Sequence, residues 1–192
     1  MNRRRPRDLT RLGNWLSLGL VLAALGSVTI IYWRWISREQ RWNKLIEEVA
    51  PRYGVSQYLV KAVIRQESSF DPYAYSSRGA IGLMQVMEAA GQDWARYNRR
   101  KDFGRDSLWI PRVNIEAGCW YLSQALAYWR GRGVDDPLPF ALAEYNAGRG
   151  VALRWQAPTA SQFQANITNP GVRHYIRQVT DYCEYYQARG KL

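Results

Sequence analysis

The sequence predicts a mainly α fold, a single globular domain that follows an N-terminal transmembrane helix. Three observations predict it. No charged residue occurs from Gly13 to Trp33. After that run, apolar residues recur at helical spacing in four separate stripes. Strand signals are sparse: the stretch Gly79 to Met87 is the one place where a short extended piece is expected. The organisation read from this is a basic tail at 1–12, an anchor at 13–35 and a folded domain at 36–192.

The uncharged run GNWLSLGLVLAALGSVTIIYW is 21 residues long. A helix of that length spans roughly 30 Å, the thickness of a bilayer core. Trp15 at one end, and Tyr32, Trp33 and Trp35 at the other, sit where interfacial aromatics belong. A cleaved signal peptide is the competing reading, but the residues after the run, IIYWRW, lack small residues for cleavage. Arg3, Arg4, Arg5, Arg7 and Arg11 precede the run, and Arg34, Arg38, Arg41 and Lys44 follow it. The bias is slight and favours the tail inside and the domain outside.

In the domain, Trp42, Leu45, Ile46, Val49 and Tyr53 form the first stripe, stopped by Gly54. Ser56 suits the N-cap of a second helix that carries Leu59, Val60, Val63 and Ile64 inward. Ile115, Cys119, Leu122, Leu126 and Trp129 form a third stripe, with Gly131 and Gly133 after it. Val172, Ile176, Val179, Cys183 and Tyr186 form the fourth. Ala157 to Gly171, with two prolines and several Ser, Thr, Asn and Gln residues, reads as a loop.

Composition narrows the function. A chain of 192 residues, 47% hydrophobic, can bury a real core in its domain. The 9 Trp and 13 Tyr suit sugars, bases or a membrane interface equally. The net charge of +11 suggests an anionic partner, yet +7 of it lies in residues 1–44, beside the anchor. Residues 45–192 keep +4, which argues against nucleic acid, although Arg99, Arg100 and Lys101 cluster. The two cysteines fall on apolar stripes and read as buried thiols or as a disulfide in an oxidising compartment. His174 is the lone histidine, so no metal site and no cofactor is expected.

Glu67 is the candidate for the chemistry. It lies four residues after Val63 and three after Ile64, so it shares their inward face. There a carboxyl loses solvation, which favours its protonated form. SSFDP ends the helix just beyond, and the negative end of the helix dipole acts in the same sense. Both effects suit a general acid that holds a proton near neutral pH. The plainer reading is an ion pair with Arg65 or Arg78.

Two further segments bear on the choice. GAIGLMQVM offers Gly79 and Gly82 for a tight backbone, Gln85 as a neutral hydrogen-bonding group, and Met84 and Met87. AEYNAG reads as a helix end stopped by Gly148, presenting Tyr145 and Asn146. Two-carboxylate glycosidases need a second acid within about 10 Å of the first. Asp71 belongs to the turn after the helix, and Glu144 faces away.

ESSF, GAIGLMQVM, NIEAGCWYL and AEYNAG, in that order, resemble the family 1 lytic transglycosylases, from roughly Ile46 to Tyr186. The resemblance implies an α+β fold like that of goose-type lysozyme and cleavage of peptidoglycan. It implies Glu67 as the single acid/base and Ser76 near the acetamido and glycosidic groups. It further implies Gln85 and Met87 in the cleft, Tyr145 and Asn146 holding the glutamate and the reacting sugar, and Tyr175 as the final tyrosine. Two positions depart from the family pattern: Glu88 stands where proline is usual, and NPGVR replaces an acidic residue and Thr before the arginine. The implied reaction is non-hydrolytic. Glu67 protonates the MurNAc–GlcNAc oxygen, the acetamido group stabilises the cation, and the 6-hydroxyl closes a 1,6-anhydro ring. A lysozyme-type hydrolase and a non-catalytic wall-binding scaffold are the rival readings. The implied setting is a bacterial inner membrane with the domain periplasmic. The partners are glycan strands, the membrane itself and whatever envelope machinery recruits such a tethered enzyme.

Overall fold

Helix ends and buried faces set the architecture of this computed structural model, which describes residues 20, 22–29, 38–190 and 192. Two units divide between Arg38 and Glu39. In the first, residues 22–29 are helical, with Leu22, Leu25 and Val28 exposed. Ser27 and Thr29 turn their hydroxyls back onto the carbonyls of Ala23 and Leu25. Among the described residues no helix is long and apolar enough to cross a membrane. Most of the anchor expected at 13–35, and the tail at 1–12, lie outside the described residues.

The second unit holds α1 (Asn43–Val49), α2 (Gln57–Ser68), α3 (Glu88–Tyr97), α4 (Pro111–Gly131), α5 (Pro137–Ala147), α6 (Arg149–Ala152), α7 (Ala160–Asn166) and α8 (Pro170–Arg189). Short 3-10 turns cover Ala50–Tyr53, Arg105–Trp109 and Leu153–Trp155. α1 runs on through the first of these to Gly54, whose φ of 66° closes it. Ser56 sits at the start of α2 in extended conformation, but its side chain makes no capping bond. The four apolar stripes are inward faces: Ile46 and Val49, then Leu59 to Ile64, then Ile115, Cys119, Leu122 and Trp129, then Val172 to Tyr186.

α5 is the centre of the unit, packed on α4, α6, α7 and α8. Phe140, Ala141, Leu142, Ala143 and Glu144 are consecutive and all buried. A helix apolar on every side belongs in the interior and shows no stripe. Phe140 stacks on Phe163 at 4.0 Å, and Trp129 lies 5.0 Å from Phe140. Burying each such ring stabilises the core by about 2–3 kcal/mol.

The segment expected to be a loop, Ala157 to Gly171, contains α7. Thr159 caps it, its hydroxyl accepting from the Gln162 amide, and Phe163 plugs it into the core. One buried ring among polar residues leaves no periodicity to read. The extended piece at Gly79–Met87 is confined to isolated bridges, Tyr75 with Ile81 and Ile81 with Val86. Cys119 and Cys183 are both buried and free, so no disulfide joins α4 to α8. His174 is exposed on α8.

Candidate active site

α2 delivers Glu67 one residue before its end. Ser69 and Phe70 then turn sharply, with φ of 49° and 65°. Gln85 is left-handed too, at 48°. Three of the four non-glycine residues with positive φ among those described therefore lie beside Glu67 or in the loop it faces. Such strain persists only where the surroundings over-determine it.

Those surroundings are a loop, Ala74 to Met87, pinned from three sides. The Ser68 hydroxyl lies 2.8 Å from the Leu83 carbonyl, tying the end of α2 to the loop. From α4, the buried Asn114 accepts the Met84 amide at 2.8 Å and donates to the carbonyls of Ile81 (2.7 Å) and Leu108 (2.9 Å). From α5, the Tyr145 hydroxyl donates to the Met84 carbonyl at 2.8 Å. Glycine is required where these approaches are closest. A Cβ on Gly82 would stand 2.5 Å from Asn114 Nδ2, and one on Gly118 would stand 2.5 Å from Met84 Sδ. Asn114, Gly118 and Tyr121 share one face of α4, at helical spacing, turned to this loop and the cleft beside it.

The carboxyl of Glu67 accepts a hydrogen bond from the Tyr175 hydroxyl at 2.7 Å, delivered by α8 across the α2–α8 packing. Burial pushes the Glu67 pKa up from 4.5 to about 7, and the Tyr175 bond opposes that rise. No other carboxylate is among the causes. The nearby acids are otherwise engaged. Glu144 is buried, 1% exposed, between Trp129 Nε1 (2.9 Å) and the Arg149 guanidinium. Glu88 opens α3, where it accepts from Gln92 and pairs with Arg105 at 3.7 Å. Asp93 pairs with Arg96, and Asp71 accepts the Tyr73 amide in the turn after α2. Glu88, the departure from the family pattern, thus begins a helix and pairs outward, and it does not line the cleft.

A cleft of about 430 Å³ opens between the loop, α3, α4 and the end of α5. Gln85, Met87, Tyr145 and Asn146 line it. Met87 is 46% exposed there, a large apolar side chain held open to solvent. Arg78, Asp93 and Tyr121 line it as well. Tyr121 packs edge-on against Tyr145, ring centres 5.6 Å apart. Glu67, half-buried, is not among the residues that line this cleft, and its charge raises the pKa of both Tyr145 and Tyr175 beyond what their burial already does.

Two side chains are tied into the loop's own hydrogen bonds. The Gln85 amide nitrogen donates to the carbonyls of Ala74 and Gly82, both at 3.0 Å, so its donor end braces the loop and its oxygen remains. Ser76 closes the turn to Ala80, its hydroxyl accepting the Ala80 amide at 3.0 Å, and it lies outside the cleft lining. The tyrosine bonded to Glu67 is Tyr175; Tyr145 supports the loop instead. Asn114, Ser68, Gly118 and Tyr121 were not singled out as site residues. The signal for Asn114 was available: a polar side chain one turn before a glycine, on the edge of an apolar stripe.

The Transglycosylase SLT domain family matches residues 44–168. Tyr175 lies beyond the matched range, so its place rests on geometry. A relative from Glaesserella parasuis serovar 5 (strain SH0165), membrane-bound lytic murein transglycosylase C, is 37% identical over 125 residues, 61% of this chain and 33% of the relative. Among solved structures, an inactive mutant of lytic transglycosylase Slt from Pseudomonas aeruginosa superposes with a TM-score of 0.69 at 28% identity, covering 79% of this chain and 25% of that one. The 70 kDa soluble lytic transglycosylase Slt70 from Escherichia coli gives 0.66 at 27% identity, covering 77% and 24%. The match spans about a third of the Glaesserella protein and about a quarter of each Slt chain.

Proposed function

The chain belongs to the Transglycosylase SLT domain family, and from that premise we propose that it is a membrane-anchored peptidoglycan lytic transglycosylase with Glu67 as its single acid/base. The observation that carries the reading is the Glu67 carboxyl itself: half-buried, bonded to Tyr175, with a pKa of about 7 and no carboxylate partner among the causes of its shift. At neutral pH such a group holds a proton in a large fraction of molecules and gives it up readily, which suits a general acid that must later act as base.

The chemistry then follows from the one acid. Glu67 protonates the oxygen linking MurNAc to GlcNAc, and that bond breaks with GlcNAc as the leaving alcohol. The acetamido oxygen of the MurNAc stabilises the developing positive charge at its anomeric carbon. The Glu67 carboxylate takes the proton from the 6-hydroxyl, and that oxygen bonds to the anomeric carbon. The product is a 1,6-anhydro sugar, no water is consumed, and Glu67 ends protonated as it began. Gln85, Met87, Tyr145, Asn146 and Tyr121 form the wall along which the glycan lies. Ser76, with its proton still free to donate, is assigned to the acetamido end.

The uncharged run of Gly13 to Trp33 supports an inner-membrane anchor over 13–35, with 1–12 cytoplasmic and 36–192 periplasmic. The relative's name, membrane-bound, agrees with it. Mass spectrometry of peptidoglycan digested by wild type and by Glu67→Gln tests the proposal. Anhydro-ended muropeptides from wild type and their loss in the variant are expected. Reducing ends would make the enzyme a hydrolase, and undiminished cutting by the variant would remove Glu67 from the mechanism.

A further inference from the structure

A second groove lies on the same two helices as the cleft and shares none of its lining residues. Its volume is about 540 Å³, and Tyr53, Tyr97, Glu116, Trp120, Ser123 and Gln124 line it. α3 contributes Asp93 to the cleft and Tyr97 to the groove; α4 contributes Tyr121 to the cleft and Trp120 to the groove. From Ala89 in the cleft wall to Tyr97 is about 12 Å along the α3 axis.

Three features of the groove point to a ligand. Tyr97 is 68% exposed, and its ring leans on Trp120 with centroids 5.7 Å apart, an open aromatic platform. Trp120 Nε1 is the one buried side-chain polar atom without a hydrogen-bond partner among the described residues. The Tyr53 hydroxyl accepts from Trp94 Nε1 at 3.0 Å, which leaves its own proton to give. The charges at the rim are already neutralised: Arg52 pairs with Glu48 and Glu116 with Arg112. Aromatic faces, unspent donors and balanced charge describe a site for a neutral sugar, and the concave, polar lining suits a membrane surface poorly.

We propose that the Tyr97–Trp120 groove is a second saccharide subsite, which holds an N-acetylated sugar of the glycan beyond the cleft, with an acetamido or hydroxyl oxygen completing the Trp120 N–H. The proposal rests on the peptidoglycan reading for its substrate. Because Nε1 is sealed in the free protein, binding includes a small local displacement that opens it to the ligand.

The test uses the full detergent-solubilised chain carrying Glu67→Gln, so that sugar is bound and not cut. Chitin-type hexasaccharide is titrated while indole N–H resonances are followed by NMR, the Trp120 signal being identified by its absence in Trp120→Phe. The Trp120 resonance is expected to shift on saturation, and Tyr97→Ala to weaken hexasaccharide binding by about 3–10-fold, the loss of one aromatic contact. An unmoved Trp120 resonance, equal affinity in Tyr97→Ala, or a shift produced by anionic lipid vesicles and not by sugar would each overturn it. Binding is read without turnover, so failure of the groove is distinguishable from failure of the Glu67 chemistry, which the digestion experiment decides alone.

Discussion

Replacing Glu67 with Gln should stabilise the fold, and should do so in a pH-dependent way. Burial raises the Glu67 pKa from 4.5 to about 7. The folded state therefore binds a proton more tightly than the unfolded chain does. Stability is complete below the unfolded value and is lost as pH rises through the folded one. At about 1.36 kcal/mol per unit, the displacement corresponds to about 3 kcal/mol, an upper figure because Glu67 keeps some solvent contact. Against a total stability of about 5–15 kcal/mol this is large. Gln keeps the shape and the acceptor for Tyr175 but never ionises. The stability difference between variant and wild type should therefore grow by up to about 3 kcal/mol between about pH 4.5 and pH 8, while every other group titrates alike in both. With an m-value of about 1–3 kcal/mol/M, urea midpoints separate by up to about 1–3 M over that range. A constant difference across pH, or a wild type that gains on the variant as pH rises, would show that Glu67 is not held above its ordinary pKa.

Other outcomes follow from the same contacts. Tyr175→Phe removes the bond that opposes the rise in the Glu67 pKa. The alkaline limb of the pH–rate profile should therefore move up by about 1–2 units, and a fall would contradict the assignment. Asn114→Ala strands the Met84 amide and the Ile81 and Leu108 carbonyls, and should cost about 3 kcal/mol or more in denaturant unfolding, with weakened activity. Gly118→Ala drives a methyl group into Met84 and should cost about 1–3 kcal/mol, read as a lower Tm. Arg149→Ala leaves the buried Glu144 with Trp129 alone and should destabilise by about 2–4 kcal/mol, whereas exposed Arg130→Ala should change little.

The fold was legible wherever one face of a helix is wet. α1, α2, α4 and α8 each set a dry stripe against a solvated one, so Val63, Ile115 or Val179 declared its direction in the sequence. α5 was visible only at its AEYNAG end, because a helix buried on all sides has no stripe to read. α3 and α7 were missed because small or polar residues dominate them and a single ring, Trp94 or Phe163, anchors each. The site shows the same division. Glu67 could be picked out because it sits on a dry face at a helix end. Tyr175 could be named only through family resemblance, since nothing in its surroundings at 172–176 records a carboxyl 108 residues away.

The sequence by itself determined that one carboxyl would lie on an inward face at the end of a helix, next to a glycine-punctuated loop. Periodicity and local steric rules are properties of neighbouring residues, and they carry that much. The tertiary structure alone decided which hydroxyl meets the carboxyl, that Tyr145 and Asn114 brace the loop, that Glu88 pairs with Arg105, and that Trp120 keeps an unspent donor. Each of these depends on the crossing of helices far apart in the chain. Desolvation and hydrogen-bond partnership are set by those crossings, and they are what move the Glu67 pKa to about 7.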